Sequence, residues 1–191
     1  MILPILKYGH PMLRQKGAKI SRTTPEILKL IENMRETMRL ASGIGLAAQQ
    51  VGVALQLAVV DVRGITDRPS TLFIDGKPVE PADHMPVILI NPQITPDGGP
   101  VVAGEGCLSF PEIFSEIERA EFVEVKATNE KGDKIQFRCG GLLARAIQHE
   151  VDHLNGILFI DRMGVLKKKE LKAELAELQA ETKANLEAKN K

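Results

Sequence analysis

Apolar residues recur along this chain at two spacings. Helical spacing appears first over residues 25–40, where Ile27, Leu28, Ile31, Met34, Met38 and Leu40 form one stripe. Thr24 is the expected N-cap, Pro25 suits the first helical position, and Ser42-Gly43 ends the element. The same spacing returns from Gly141 to Leu154, with Leu142, Leu143, Ala146, Ile147 and Leu154 as a buried flank behind a Gly140-Gly141 start. From about Leu166 a Lys-, Glu- and Ala-rich helix carries Leu171, Leu175 and Leu178 on one side and is polar all round beyond Thr182.

Strand-like patterns fill the middle of the chain. Residues 55–62 form a β-rich run, and 87–90 a short strand that Asn91-Pro92 closes. Asp97-Gly98-Gly99-Pro100 reads as a turn. Residues 122–127 and 134–138 alternate around a hairpin at 129–133, and 156–160 reads as a last strand. Cys139 is expected as a half-buried thiol. Residues 63–85 look like an insertion turning at Asp75-Gly76, read as a decorative surface hairpin in preference to a border of a binding groove, and residues 8–17 are expected to pack the N-terminus onto the core.

Composition adds bounds. A chain of 191 residues, 43% apolar and 26% charged, suits one soluble globular domain. The 25 basic residues equal the 25 acidic ones, so no direct nucleic-acid site is evident. No apolar run reaches membrane-spanning length, and the N-terminus lacks the pattern of an export signal, so a cytoplasmic protein is expected. The two cysteines are then core residues or ligands and not a disulfide.

Chemistry concentrates in Gln148-His149-Glu150-Val151-Asp152-His153. Residues four apart share a helix face, so His149 and His153 present two imidazoles to one metal ion, and Glu150 can reach a water beside it. A catalytic site keeps three protein ligands and an open position. The third is expected among Cys107, His10, His84, Cys139 or a carboxylate. Cys107 is the best placed, in the glycine-flanked stretch Gly104-Glu105-Gly106-Cys107-Leu108-Ser109. Such a set suits zinc, ferrous iron, cobalt or nickel, lowering the pKa of a bound water to roughly 7. Glu150 is the expected proton carrier, with the Gln50 amide and the Leu108 N–H as oxyanion donors. The chemistry implied is metal-assisted amide hydrolysis. Asp152 is expected to pair with a base such as Arg119.

Three segments together resemble the peptide deformylase family. Gly43-Ile44-Gly45-Leu46-Ala47-Ala48-Gln49-Gln50 is similar to its G-x-G-x-A-A-x-Q, Glu105-Gly106-Cys107-Leu108-Ser109 to its E-G-C-L-S, and Gln148 to His153 to its Q-H-E-x-D-H. The resemblance implies removal of the N-terminal formyl group from nascent formyl-methionyl chains, releasing formate. It implies metal ligands Cys107, His149 and His153, holding one divalent ion, Fe(II) in the cell with Zn, Ni or Co as substitutes. Glu150 would be the acid/base, with Gln50 and Leu108 stabilising the oxyanion. Gly43, Ile44, Gly45, Glu105, Gly106, Leu142, Arg145 and Ala146 would line the substrate site. The implied fold is α+β, antiparallel β-sheets enclosing a central metal-binding helix, with a long C-terminal helix. Residues 1–165 would be the catalytic domain, and 166–191 an amphipathic helix packed on it, available to the ribosome surface. A monomer or weak homodimer away from membranes is expected. Arg145 departs from the family's apolar pocket residue; it is read as snorkelling along the pocket wall, as binding peptide, or as a surface arginine. Two rivals remain, a general zinc endopeptidase and a closed structural metal module.

Overall fold

The sheet that organises the molecule is built from seven antiparallel strands, seen in a computed structural model that describes residues 1–189. In chain order these are β1 (Gly45–Ala47), β2 (Leu57–Val60), β3 (Ser70–Ile74), β4 (Lys77–Val79), β5 (Val87–Cys107), β6 (Phe110–Thr128) and β7 (Lys134–Gly140). Their spatial order is β1-β2-β5-β6-β7-β3-β4. Helices α1 (Pro25–Leu40) and α2 (Gly141–Leu154) lie on it, and α3 (Val165–Glu170) and α4 (Lys172–Lys189) end the described chain. Positions 190–191 of the expected C-terminal helix lie outside the described residues. No helix among the described residues is long and apolar enough to cross a membrane.

Alternation along β2 and the first four residues of β5, Val87 to Ile90, explains why those stretches are apolar throughout. Ala58, Val60, Val87 and Leu89 face one core with Leu143 and Ile147 of α2, while Leu57, Val59, Ile88 and Ile90 face another with Ile31, Met34 and Met38 of α1. Both faces are covered, and side chains alternating between them are apolar on each. A third core joins Phe110, Ile113 and Ile117 of β6 to Leu13, Phe159, Leu171 and Leu175, which seats the start of α4. Thr24 caps α1 and Pro25 opens it as expected, but Leu28 and Leu40 of the stripe are exposed, at 45% and 55%. They fall at the margins of the buried arc, where one turn of helix carries a side chain into solvent.

Several boundaries differ from expectation. The residues 97–100 read as a turn form a bulge within β5, whose register against β6 shifts between Asp97 and Pro100 and again at Ile90/Gln93 and Gly106/Cys107. Glycine and proline signal a bulge as readily as a turn, and here the strand bends and continues. Residues 156–160 add no strand; Phe159–Asp161 is a 3-10 turn whose aromatic ring fills the third core. Cys139 is fully buried, not half-buried, and burial pushes its thiol up to about 12.

The insertion is not ornamental. Its strand β3 pairs with β7 through Leu72↔Cys139, extending the sheet. It also closes the start of α2: the Pro69 carbonyl accepts from Leu142 N–H at 3.2 Å, and Ser70 Oγ from Leu143 N–H at 3.1 Å. These satisfy two donors that a helix N-terminus leaves open. Gly141 permits the approach, with φ +65° and a position where a Cβ would meet the Pro69 oxygen at 2.1 Å. Ser70→Ala is expected to lower folding stability by about 1 kcal/mol, the usual worth of a cap, in urea unfolding monitored by circular dichroism.

Candidate metal centre and the charges behind it

Helix α2 runs between buried surfaces for nearly its whole length, so its polar residues must find partners. Gln148 fastens the helix to β6, exchanging hydrogen bonds with both backbone groups of Ala120 at 3.1 and 3.0 Å. Directly after it, and one turn apart from each other, the rings of His149 and His153 stand with centroids 4.9 Å apart. The bulge at Gly106/Cys107 brings the thiol to them, Cys107 Sγ lying 3.3 Å from His153 Nε2. One donor atom from each of the three residues lies within 4.8 Å of the others. Bonds of about 2.3 Å to sulfur and about 2.0 Å to nitrogen put adjacent tetrahedral donors about 3.5 Å apart, so the set fits one ion. The other suggested ligands are elsewhere: His10 Nδ1 caps the 3-10 turn Pro11–Arg14, His84 is exposed, and Cys139 is in the core.

A carboxylate only accepts, so His149 Nδ1, 3.0 Å from Glu105 Oε2, carries a proton and turns Nε2 toward the metal side. Burial disfavours its charge, but bonds to Cys107 and Glu105 raise the His149 pKa well above the ordinary histidine value, so a metal would have to displace the Nε2 proton. Burial alone would raise the Glu105 pKa, but bonds from His149 and Arg119 hold it well below the usual carboxylate range. Arg119 donates to Glu105 Oε1 at 2.9 Å and Oε2 at 3.0 Å, and reaches Asp152 with its remaining arm. The expected Asp152–Arg119 pair is therefore present, and Arg162 adds a second guanidinium to Asp152. Sequence reading missed Arg119's link to Glu105, and all of Arg162. The available signal was alternation, since Ile113, Ser115, Ile117 and Arg119 are the inward positions of β6.

Arg145 is buried and is not a surface arginine. It lines the cavity described below, but its guanidinium turns away to Glu105 Oε1 at 2.8 Å and to the carbonyls of Ile117 at 2.8 Å and Val101 at 2.7 Å. A planar fork with five donors matches that cluster of acceptors. Glu105, also expected at the substrate, likewise lines the cavity while its oxygens face Arg119, Arg145 and His149.

On the open side lies a cavity of about 560 Å³, with Gly43, Ile44, Gly45, Gln50, Gly106, Leu108, Leu142, Ala146 and Glu150 among its walls. Gln50 Oε1 accepts from Ala47 N–H at 2.8 Å, which turns its amide nitrogen toward Cys107 Sγ, 3.5 Å away, and Ser109 Oγ, 3.2 Å away. Glu150 is 4% exposed, and its Oε2 has no hydrogen-bond partner among the described residues. Burial raises its pKa to about 7, with Glu105 and Asp152 adding to the rise against His149 and Arg119. An orphaned acid poised there suits proton transfer near neutral pH. Burial pushes His153 well below the ordinary histidine value, neutral as a ligand must be.

Gly45 makes room for that acid. A Cβ on it would stand 2.2 Å from Glu150 Oε1. Gly45→Ala must displace the carboxylate, and a shift near 1 Å costs about 10²-fold in turnover. Steady-state rates of the folded variant, set beside its thermal midpoint, check this.

The comparisons agree with this geometry. The family model described as Polypeptide deformylase matches residues 2–169. A peptide deformylase of Opitutus terrae is 46% identical over 188 residues, 96% of each chain. One from Methylacidiphilum infernorum is 44% identical over 179 residues, 94% of each. The crystal structure of peptide deformylase from Thermus thermophilus superposes with a TM-score of 0.79 at 35% identity, covering 95% of this chain and 99% of that one. With a cysteine and two histidines converging beside a buried glutamate in the segments so matched, the chain belongs to the polypeptide deformylase family.

Proposed function

We propose that Cys107, His149 and His153 hold one divalent ion, Fe(II) in the cell, and that Glu150, Gln50 and Leu108 act on the formyl group of nascent formyl-methionyl chains. The observation carrying this is the unpartnered Oε2 of Glu150, buried at a cavity wall beside the three donor atoms. The ion would supply Lewis acidity, acidifying water and polarising the formyl carbonyl. Glu150 takes a proton at Oε2 from the attacking water and delivers it to the departing amine nitrogen. The carbon–nitrogen bond breaks, and formate and a free N-terminus leave. Gln50 Nε2 and the Leu108 N–H donate to the oxyanion as it forms. Ile44, Leu142 and Ala146 offer the methionine side chain an apolar wall, with the backbones of Gly43, Gly45 and Gly106 close by.

The mixed thiolate and imidazole set also accepts zinc, nickel or cobalt, so metal content must be measured on protein purified without oxygen. A nascent-chain substrate implies an enzyme of the cytoplasm, working near the ribosome. Residues 1–165 and the C-terminal helix form one domain in this reading, the helix joined through Leu171 and Leu175. The test is formate release from a formyl-Met tripeptide, before and after chelation. Release that chelation abolishes and Fe(II) restores supports the assignment; cleavage of internal peptide bonds with no formate would replace it with an endopeptidase.

A further inference from the structure

Charged groups at the cavity wall are mostly accounted for. Glu105 and Arg145 are held in the buried network, and Lys7 Nζ donates to the Leu108 carbonyl at 2.7 Å. Arg68 is different. It lines the same cavity, is half-buried, and has no carboxylate or carbonyl partner among the described residues. Its position is fixed from the next residue onward, since Pro69 and Ser70 bond the first turn of α2. Leu142, Ala146 and His149 follow one another along the cavity side of that helix. Seven residues separate Leu142 from His149, a rise of about 10 Å. An extended peptide covers that in about three residues.

We propose that Arg68 is a carboxylate-binding residue that makes this enzyme favour an acidic side chain at the second or third residue of its formyl-methionyl substrate. This rests on the deformylase reading above. A guanidinium with five donors and no partner among the described residues, on a backbone held beside the pocket at Pro69 and Ser70, can grip a carboxylate with two parallel bonds. Glu112 also lines the cavity, but it is exposed, so solvent and salt screen its repulsion. A short peptide's C-terminal carboxylate offers the same chemistry as a glutamate side chain, so the test must separate them.

The experiment compares formate release from C-terminally amidated formyl-Met-Glu-Ala, formyl-Met-Ala-Glu and their Gln counterparts, plus formyl-Met-Ala-Ala as amide and free acid. Parent, Arg68→Gln and Arg68→Glu are assayed at two salt concentrations. The parent should favour one Glu peptide over its Gln partner by about fivefold in kcat/KM, carried by KM and shrinking with salt. Arg68→Gln should erase that ratio and Arg68→Glu invert it. The deformylated products, titrated calorimetrically, should follow the same order without turnover. A preference for the free acid alone, with Glu and Gln amides equal, would overturn the side-chain assignment. Equal rates on every peptide would overturn Arg68 as a selector and leave the deformylase reading standing. No formate from any peptide would overturn both.

Discussion

Glu150→Gln is expected to reduce formate release by about 10²–10⁴-fold while leaving the fold and one metal per chain intact. The amide keeps the shape of the side chain in the space left by Gly45 but cannot take a proton. A second consequence is independent of turnover. In the metal-free protein the Glu150 pKa rises from 4.5 in the unfolded chain to about 7, because burial disfavours its charge. Below pH 4.5 both states keep the proton and the residue costs nothing. As pH climbs toward 7 the unfolded chain ionises first, and folding stability falls; above 7 the loss is complete, at roughly 3 kcal/mol. Gln escapes this loss. Metal-free Glu150→Gln should therefore be the more stable protein at pH 8, with the gap narrowing toward pH 5. Turnover above about a tenth of the parent's would remove Glu150 as the proton carrier.

Glu105→Gln is expected to unfold at lower urea, by about 3–5 kcal/mol, and to bind metal about 10–100-fold more weakly. Glu105 receives donors from Arg119, Arg145 and His149 in a site 4% exposed. Gln keeps one acceptor oxygen but no charge, so Arg145 has no anionic partner and Arg119 has only Asp152, and the other oxygen gives way to an NH2 that donates. Where the NH2 replaces Oε2, His149 Nδ1 faces a donor instead of an acceptor and loses the bond that orients its ring. Denaturant melts of the metal-free variant read the first effect, and competition against a chelator of known affinity reads the second. An unaltered affinity would show that His149 is oriented by its packing against Phe159 and not by Glu105.

The sequence disclosed whatever is local. Glycines before an apolar flank give α2 its limits, Thr24-Pro25 opens α1, and the spacing of His149 and His153 places two imidazoles together. Motifs supplied Cys107 and Gln50, which the bulge and the Ala47 contact then aim. Distant partners stayed hidden. Nothing near Arg145 indicates that its acceptors are on strands 28 to 44 residues earlier. Nor do residues 70–74 show that their neighbour will be β7. The stretch 156–160 is apolar enough for a strand, but burial of Phe159 against Phe110 and His149 draws it into a turn.

The enclosure of α2 by the sheet also sets an order of events during synthesis. Strands β1 to β7 leave the ribosome before the helix that packs against them. A chain halted at residue 140 already carries Gln50 and Cys107, but presents Val60, Leu89, Val123 and Val125 with nothing to cover them. Such a chain is an aggregation hazard without an imidazole pair to load. Pairings such as Leu72↔Cys139 and Leu57↔Ile90 join distant positions, so closure waits for chain diffusion and proceeds slowly. An enzyme that works on newborn chains thus becomes competent only once residue 153 of its own chain has been made.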